Sequence, residues 1–323
     1  MNKIKIDSRV WADIQYKLAN LILSQSFINT KLNHPVKENT NLVYHYTTPE
    51  KFLSIINNQS FYFTHINYLN DRKEYHYGVE LLINIINKIE RKESNNIILD
   101  KILGNINYIY ESSKYVSCFS CDGDMLSQWR AYANEGKGFA IGFDLEELNE
   151  YCLGHVDGKY ILYDNISQED TIEELINIQL TYFESLKDTI DWGEYGYDSL
   201  VSTSIIDFID NIISNFKHPS FSEEREFRLQ INVDEKISKS KNIDFQFRGS
   251  ESLIIPFINL KYKNWNYRNN SEEIDFRDKL PIKEIIIGPS LEFETNKHSV
   301  STFLDKNGYQ DINIIQSNIP YRI

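Results

Sequence analysis

Short alternating runs that come in pairs, joined by helical segments of unequal length, constrain the fold of this chain more than any other feature. In Leu42-Val43-Tyr44-His45-Tyr46, period-2 spacing puts Leu42, Tyr44 and Tyr46 on one face and Val43 and His45 on the other. A helix follows, with Thr47 or Thr48 as N-cap and Pro49 in the first turn. Glu50 completes a capping box with Thr47, and Phe52, Leu53, Ile55 and Ile56 supply an apolar face. A second strand ends near Phe63. Tyr115 to Ser120 and Gly138 to Phe143 read as the next pair, around a short helix from Met125 to Tyr132 and a turn at Asn134 to Gly136. Glu226 to Val233, Leu253 to Ile258, Ile282 to Gly288 and Ile312 to Ile315 read as later strands. A doubly wound sheet needs regular strand–helix alternation, so this order predicts an α+β fold with a mixed or antiparallel sheet.

The remaining segments are helical. Val10, Trp11, Ile14, Leu18, Leu21, Ile22 and Phe27 lie near helical spacing, which predicts an N-terminal helical extension over 1–40 that includes the start of a polar loop, Lys31 to Asn41. Glu74 to Arg91 carries an apolar stripe of Val79, Leu82, Ile83, Ile86 and Ile89. Thr171 to Phe216 reads as two helices, the core of a helical insertion at about 165–217 within a single domain spanning 41–323. No repeat, low-complexity tract or Gly-rich linker divides that stretch.

Hydrophobic residues make up 41% and charged residues 25%, ordinary values for a folded globular protein. The first ten residues lack an apolar signal core, and no run reaches the roughly 18 apolar residues of a membrane span. A cytoplasmic location without a membrane partner is therefore expected. A net charge of -13 disfavours salt-dependent nucleic-acid binding, which rests on Lys and Arg neutralising phosphates, although a local basic groove stays open. The short clusters Lys88 to Lys92 and Lys236 to Lys241 read as a solvated helix end and loop. Cys118, Cys121 and Cys152 are too few for a disulfide framework. The Cys118–Cys121 pair lacks a second pair of ligands, with His155 beside Cys152 the only nearby candidate, so no metal is expected.

Three clusters could carry chemistry. His45, at the end of a strand beside free helical N–H groups, suits a ribose or phosphate; its plainer reading is a core histidine bonded to a backbone carbonyl. In Glu226-Phe227-Arg228-Leu229-Gln230-Ile231, Glu226 and Arg228 share one strand face, and Glu224 joins them if the strand extends back. A carboxylate so placed can meet positive charge developing in a transition state; the plainer reading is an ion pair on a solvated sheet face. In Ser127-Gln128-Trp129-Arg130-Ala131-Tyr132, Trp129 and Arg130 cannot share a helical side, so one enters the core and the other a cleft or solvent. Arg130 could grip a phosphate and Tyr132 stack on a ring. The chain has no P-loop, G-x-G-x-x-G, H-E-x-x-H or G-x-S-x-G motif, which removes most support for kinase, dinucleotide dehydrogenase, zincin and α/β-hydrolase readings.

Taken in order, Y-H-Y-T-T, L-N-D, C-F-S, S-Q-W-R-A-Y-A, G-K-G-F-A-I-G-F, E-E-R-E-F-R and I-I-I-G-P resemble a bacterial domain of unknown function found in many genomes, from about Leu42 to Pro289. The opening strand and helix also resemble the start of the DNA-targeting ADP-ribosyltransferase toxins and of the wider ADP-ribosyltransferase fold. That resemblance implies a split mixed or antiparallel β-sheet core with surrounding helices, and NAD bound as substrate across a cleft. It implies His45 on a ribose hydroxyl and Glu226, with neighbouring Glu224, as the carboxylate that stabilises an oxocarbenium-like transition state. Tyr62, Tyr68 and Tyr132 compete for the aromatic beside the nicotinamide. The expected NAD-binding set is His45, Tyr46, Thr47, Tyr62, Tyr68, Asn70, Asp71, Arg130, Tyr132 and Arg228.

The leading expectation is an NAD-consuming ADP-ribosyltransferase or NAD glycohydrolase, a toxin or phage-defence effector. Its acceptor would be a protein, a small molecule or water, and its partners could include an antitoxin or defence-system protein. A non-catalytic binding module with the same fold is the alternative, and a metal-dependent nuclease using Glu224, Glu226 and Asp71 the third reading.

Overall fold

A computed structural model describes residues 3–24, 41–69, 74–110, 113–151, 156–233, 243, 245–250, 253–261 and 279–321. Its strands are β1 (Ile4–Lys5), β2 (Leu42–Thr47), β3 (Ser60–His65), β4 (Lys114–Ser120), β5 (Phe139–Asp144), β6 (Val156–Tyr160), β7 (Ile190–Asp191), β8 (Glu226–Asn232), β9 (Phe245–Gly249), β10 (Ile254–Lys261), β11 (Ile282–Ile287) and β12 (Asn313–Gln316). Contacts divide the chain into a helical unit and a sheet-bearing unit.

The helical unit gathers Met1–Pro35, Asn70–Ser112 and Ile161–Ser220. The N-terminal extension and the insertion, read from sequence as separate additions to one domain, thus fall in one unit with the stretch that follows Leu69. Helix Ser8–Ser24 buries Ile14, Leu18 and Ile22, a row with i, i+4 spacing. Tyr197–Ile213 buries Val201, Ile205, Ile209 and Ile213 in the same way. Gly78 lets helix Glu74–Lys88 come close to the end of the latter, since a Cβ there would lie 2.9 Å from Ile213 Cβ and 3.1 Å from its carbonyl oxygen. Asp164 caps helix Asn165–Leu186 by accepting from Ser167 N at 2.8 Å. β1 and β7 make a parallel pair.

In the sheet-bearing unit the strand order runs β12-β11-β5-β2-β4-β3-β10-β9, with β8 pairing β4 and β6 pairing β8. The β11–β12 pair is parallel and the other pairs are antiparallel, so the architecture is α+β with a mixed, open sheet. β4 decides its shape. Along one edge every residue from Lys114 to Ser120 pairs with β8. The other edge is shared: β3 pairs with Tyr115 and Val116, and β2 meets only Ser120. β2 and β3 therefore part beside Ser117, Cys118 and Phe119.

Alternation assigns every side chain to one of two faces. The inner face carries the main core, in which Val43, Phe61, Phe119, Ile141, Phe143, Phe227 and Leu229 pack with Phe52, Ile55 and Ile56 of helix Pro49–Asn58 and with Val300 and Leu304 of helix Phe293–Lys306. The outer face carries Tyr44, Tyr46, Ala140 and Ile286, covered by Trp129 of helix Leu126–Tyr132. Gly138 has a packing reason, because a Cβ there would run into the Thr47 carbonyl.

Three local expectations need correction. Thr48 is the N-cap of helix Pro49–Asn58 and accepts from Lys51 N, so Glu50 does not close a capping box with Thr47. β8 has no solvated face, since Glu226 through Ile231 are all buried. Glu224 stands outside the Glu226–Arg228 row: it ends the 3-10 turn Pro219–Glu224, and Arg225 with φ +46° breaks the alternation.

Candidate functional site

His45 belongs to the inner face and points into the parting between β2 and β3. Its Nδ1 lies 3.0 Å from the Cys118 carbonyl oxygen, so Nδ1–H donates and Nε2 keeps its lone pair. Ring contacts with Phe61 and Phe119, at 6.0 and 5.5 Å between centroids, fix the imidazole. Burial, opposed in part by the Cys118 hydrogen bond and aided by the Lys51 charge, pushes its pKa down to about 4, so the ring is neutral at physiological pH.

Glu226 projects from the opposite, outer face. Its register partner Ser120 is also the partner of Tyr44, one residue before His45. The carboxylate is gripped by Arg228, whose Nη2 and Nε both reach Oε1, at 2.7 and 2.8 Å. Arg228 and Glu226 are 1% and 5% exposed, so the pair is desolvated as a unit. The strands of His45 and Glu226 therefore flank β4 from its two sides: His45 holds the Cys118 carbonyl, and Cys118 pairs with Arg228. Ser120 Oγ donates to the Glu224 carbonyl at 2.9 Å, and Cys121 N donates to the Arg225 carbonyl at 2.8 Å, which locks the turn that delivers Glu226. Burial, then Asp122 and Glu226, push the Cys121 thiol up to about 12.

The other candidates separate. Tyr46 is a core residue whose hydroxyl donates to the Asp122 carbonyl and accepts from Met125 N, with its ring edge-on to Trp129 at 4.9 Å. Thr47 is buried on the inner face, its Oγ1 without a hydrogen-bond partner. Tyr68 sits in a 3-10 turn against His65, 5.4 Å between rings. Arg130 and Tyr132 lie on the exposed side of the helix whose Trp129 is fully buried, and Arg130 is 3.9 Å from Glu135. Of the three tyrosines in competition, Tyr62 alone shares the outer face of the sheet with Glu226; it is 41% exposed and rests on Phe257 at 4.6 Å. Asn70, Asp71, Cys152 and His155 lie outside the described residues, and among the described residues no group of three or more His, Cys, Asp or Glu could hold a metal.

Residues that sequence reasoning passed over complete this face. Register carries it from Thr64 on β3 to Phe257 on β10 and on to Gln246 on β9, and Arg248, on the same face of β9 as Gln246, donates from Nη2 to Thr64 Oγ1 at 3.0 Å. The alternation Phe245-Gln246-Phe247-Arg248 was a readable strand signal.

Residues 128–229 match a family model described as a protein of unknown function, DUF2971. The matched segment runs from the Trp129 helix through β5 and β6 to the Glu226–Arg228 pair. No curated protein and no solved structure matches the chain significantly. No helix among the described residues is long and apolar enough to cross a membrane.

Proposed function

We propose that the sheet-bearing unit is ADP-ribosyltransferase-like and consumes NAD, as a transferase or as an NAD glycohydrolase, in a toxin or phage-defence setting. The observation that carries this reading is the parting of β2 and β3 along one edge of β4, the kind of split sheet across which that fold takes its substrate, with His45 at the opening. Bound NAD would supply a nicotinamide–ribose bond whose cleavage places positive charge on the sugar. Glu226 is the carboxylate to face that charge, Arg228 fixes its oxygen, and Tyr62 offers the aromatic wall on the same face. His45, which enters from the other side, sets the width of the opening through Cys118 and offers a neutral Nε2 to a hydroxyl.

A second reading, a binding module without catalysis, is favoured by one observation: the Glu226 carboxylate that Arg228 holds is buried. Purified protein incubated with NAD, with and without cell extract, separates the two. Nicotinamide release by wild type that is lost in Glu226→Gln supports the enzyme. Equal silence of both proteins, with NAD still bound in calorimetry, supports the module.

A further inference from the structure

Among the described residues, the buried side-chain polar atoms without a hydrogen-bond partner are Thr47 Oγ1, Ser117 Oγ, Gln179 Nε2, Asn215 Oδ1 and Asn259 Oδ1. Thr47, Ser117, Gln179 and Asn215 are at most 3% exposed and closed off from solvent. Asn259 differs, because its residue is only half-buried and reaches the surface. It stands on β10 directly opposite Tyr62 of β3, and register puts both side chains on the outer face of the sheet. Tyr62 is 41% exposed, with one side of its ring against Phe257 at 4.6 Å between centroids and 38° between planes. Phe257 is itself held in place: the Arg248 guanidinium lies 5.7 Å from its ring centre, and Arg248 Nη2 donates to Thr64 Oγ1, two residues along β3 from Tyr62. The Tyr62 ring is thus backed by packing and still open to a ligand.

These parts fit one chemistry. A supported, half-exposed ring takes a second flat ring by stacking. An Asn amide carries a donor and an acceptor side by side and pairs with a ring edge that offers the reverse pattern, as Asn does with adenine. The terminal amide torsion is soft, so Oδ1 comes to the surface by rotation of that group alone. An N–H presented there gives a desolvated acceptor the partner it lacks.

We propose that Tyr62 and Asn259 form a seat for a flat heteroaromatic ring that carries an exocyclic amide or amino group, with Tyr62 stacking on the ring and the Asn259 amide reading its N–H edge. Nicotinamide and adenine, the two ring-bearing ends of NAD, share this chemistry. The link to a dinucleotide rests on the NAD reading above; the preference for such a ring rests on Tyr62 and Asn259 alone.

The test is ligand-observed NMR titration of nicotinamide, nicotinate, adenosine, inosine and NAD with wild type, Tyr62→Ala, Tyr62→Phe and Asn259→Leu, with circular dichroism and melting as fold controls. Nicotinate and inosine keep the rings but lose the exocyclic NH₂ group. Wild type should bind nicotinamide, adenosine or both about 10-fold more tightly than the counterpart without that group, and the pair that shows the preference identifies the end of the dinucleotide held. Tyr62→Ala should weaken the preferred ring about 10-fold, Tyr62→Phe should retain it, and Asn259→Leu should abolish the preference within the pair. Folded Tyr62→Ala and Asn259→Leu that bind the preferred ring, or NAD, as wild type does overturn the seat and leave the NAD reading standing. A ring preference that depends on both residues, without binding of NAD, retains the seat and removes the NAD reading. Wild type that binds neither nicotinamide nor adenosine, or that binds the members of each pair equally, overturns the seat outright.

Discussion

His45 and Cys118 are joined where the sheet is not: the imidazole Nδ1 reaches the Cys118 carbonyl oxygen at 3.0 Å, on the stretch of β4 that neither β2 nor β3 covers. The side chain takes the hydrogen bond that a neighbouring strand would otherwise supply, with Nδ1 carrying the donated proton, and burial keeps the ring neutral.

That neutrality has a pH signature. The folded pKa of His45, about 4, lies below the ordinary value of 6.5, so between these limits the unfolded chain binds a proton that the folded chain refuses. The stabilising contribution is full above pH 6.5 and is lost as pH falls toward 4, by up to about 3 kcal/mol. Denaturant titrations of wild type and His45→Gln over this window should show the steeper loss in wild type. Parallel curves would contradict the assignment.

Arg228 and Glu226 should respond unequally to substitution. Arg228→Met removes the guanidinium that is paired with the buried Glu226 carboxylate and is expected to cost about 3–5 kcal/mol of stability. Glu226→Gln keeps a carbonyl oxygen for Arg228 and should cost less, while removing the charge that the proposed function assigns to nicotinamide release. Melting temperatures rank the two variants.

Cys121 reports on the same carboxylate. With its thiol pushed up to about 12, Cys121 should resist iodoacetamide at pH 8, because the thiolate is the reactive form. Burial is the larger cause and Glu226 a smaller one, so Glu226→Gln should raise the alkylation rate modestly. Peptide mass spectrometry over a time course reads both.

Asp124 ties the C-terminal stretch to the Trp129 helix. Its Oδ1 accepts from Trp129 Nε1 at 2.7 Å and from Ser317 Oγ, and its Oδ2 accepts from Asn318 N at 2.6 Å. Asp124→Ala leaves these donors without their acceptor and should cost about 2–4 kcal/mol, given roughly 1.5–3 kcal/mol for a hydrogen bond to a charged group. Limited proteolysis should cut near Ser317 sooner in the variant, whereas Asp124→Asn should keep part of the protection.

Local chemistry determined a good deal of this protein from sequence alone. The face assignments within β2 and β8, the helix beginning at Pro49, the separation of Trp129 from Arg130 on two sides of one helix, and the α+β class all follow from neighbours a few residues apart, where spacing alone dictates which side chains share a side. The β6 strand Val156–Tyr160 is short and centred on Gly158, so it does not stand out by pattern, whereas β9 carries a readable alternation from Phe245 to Arg248 that ends at once in Gly249. Only the tertiary structure decided that β2 and β3 share an edge of β4, that Glu226 and Arg228 are buried, that Glu224 drops out at Arg225, and that His45 and Glu226 lie on opposite faces. Those facts depend on strand pairings across many residues of chain. Register turns on which distant partner wins the hydrogen bonds, and a shift of one residue exchanges the two faces, so no local pattern could have placed Tyr62 and Arg248 on one face of the sheet.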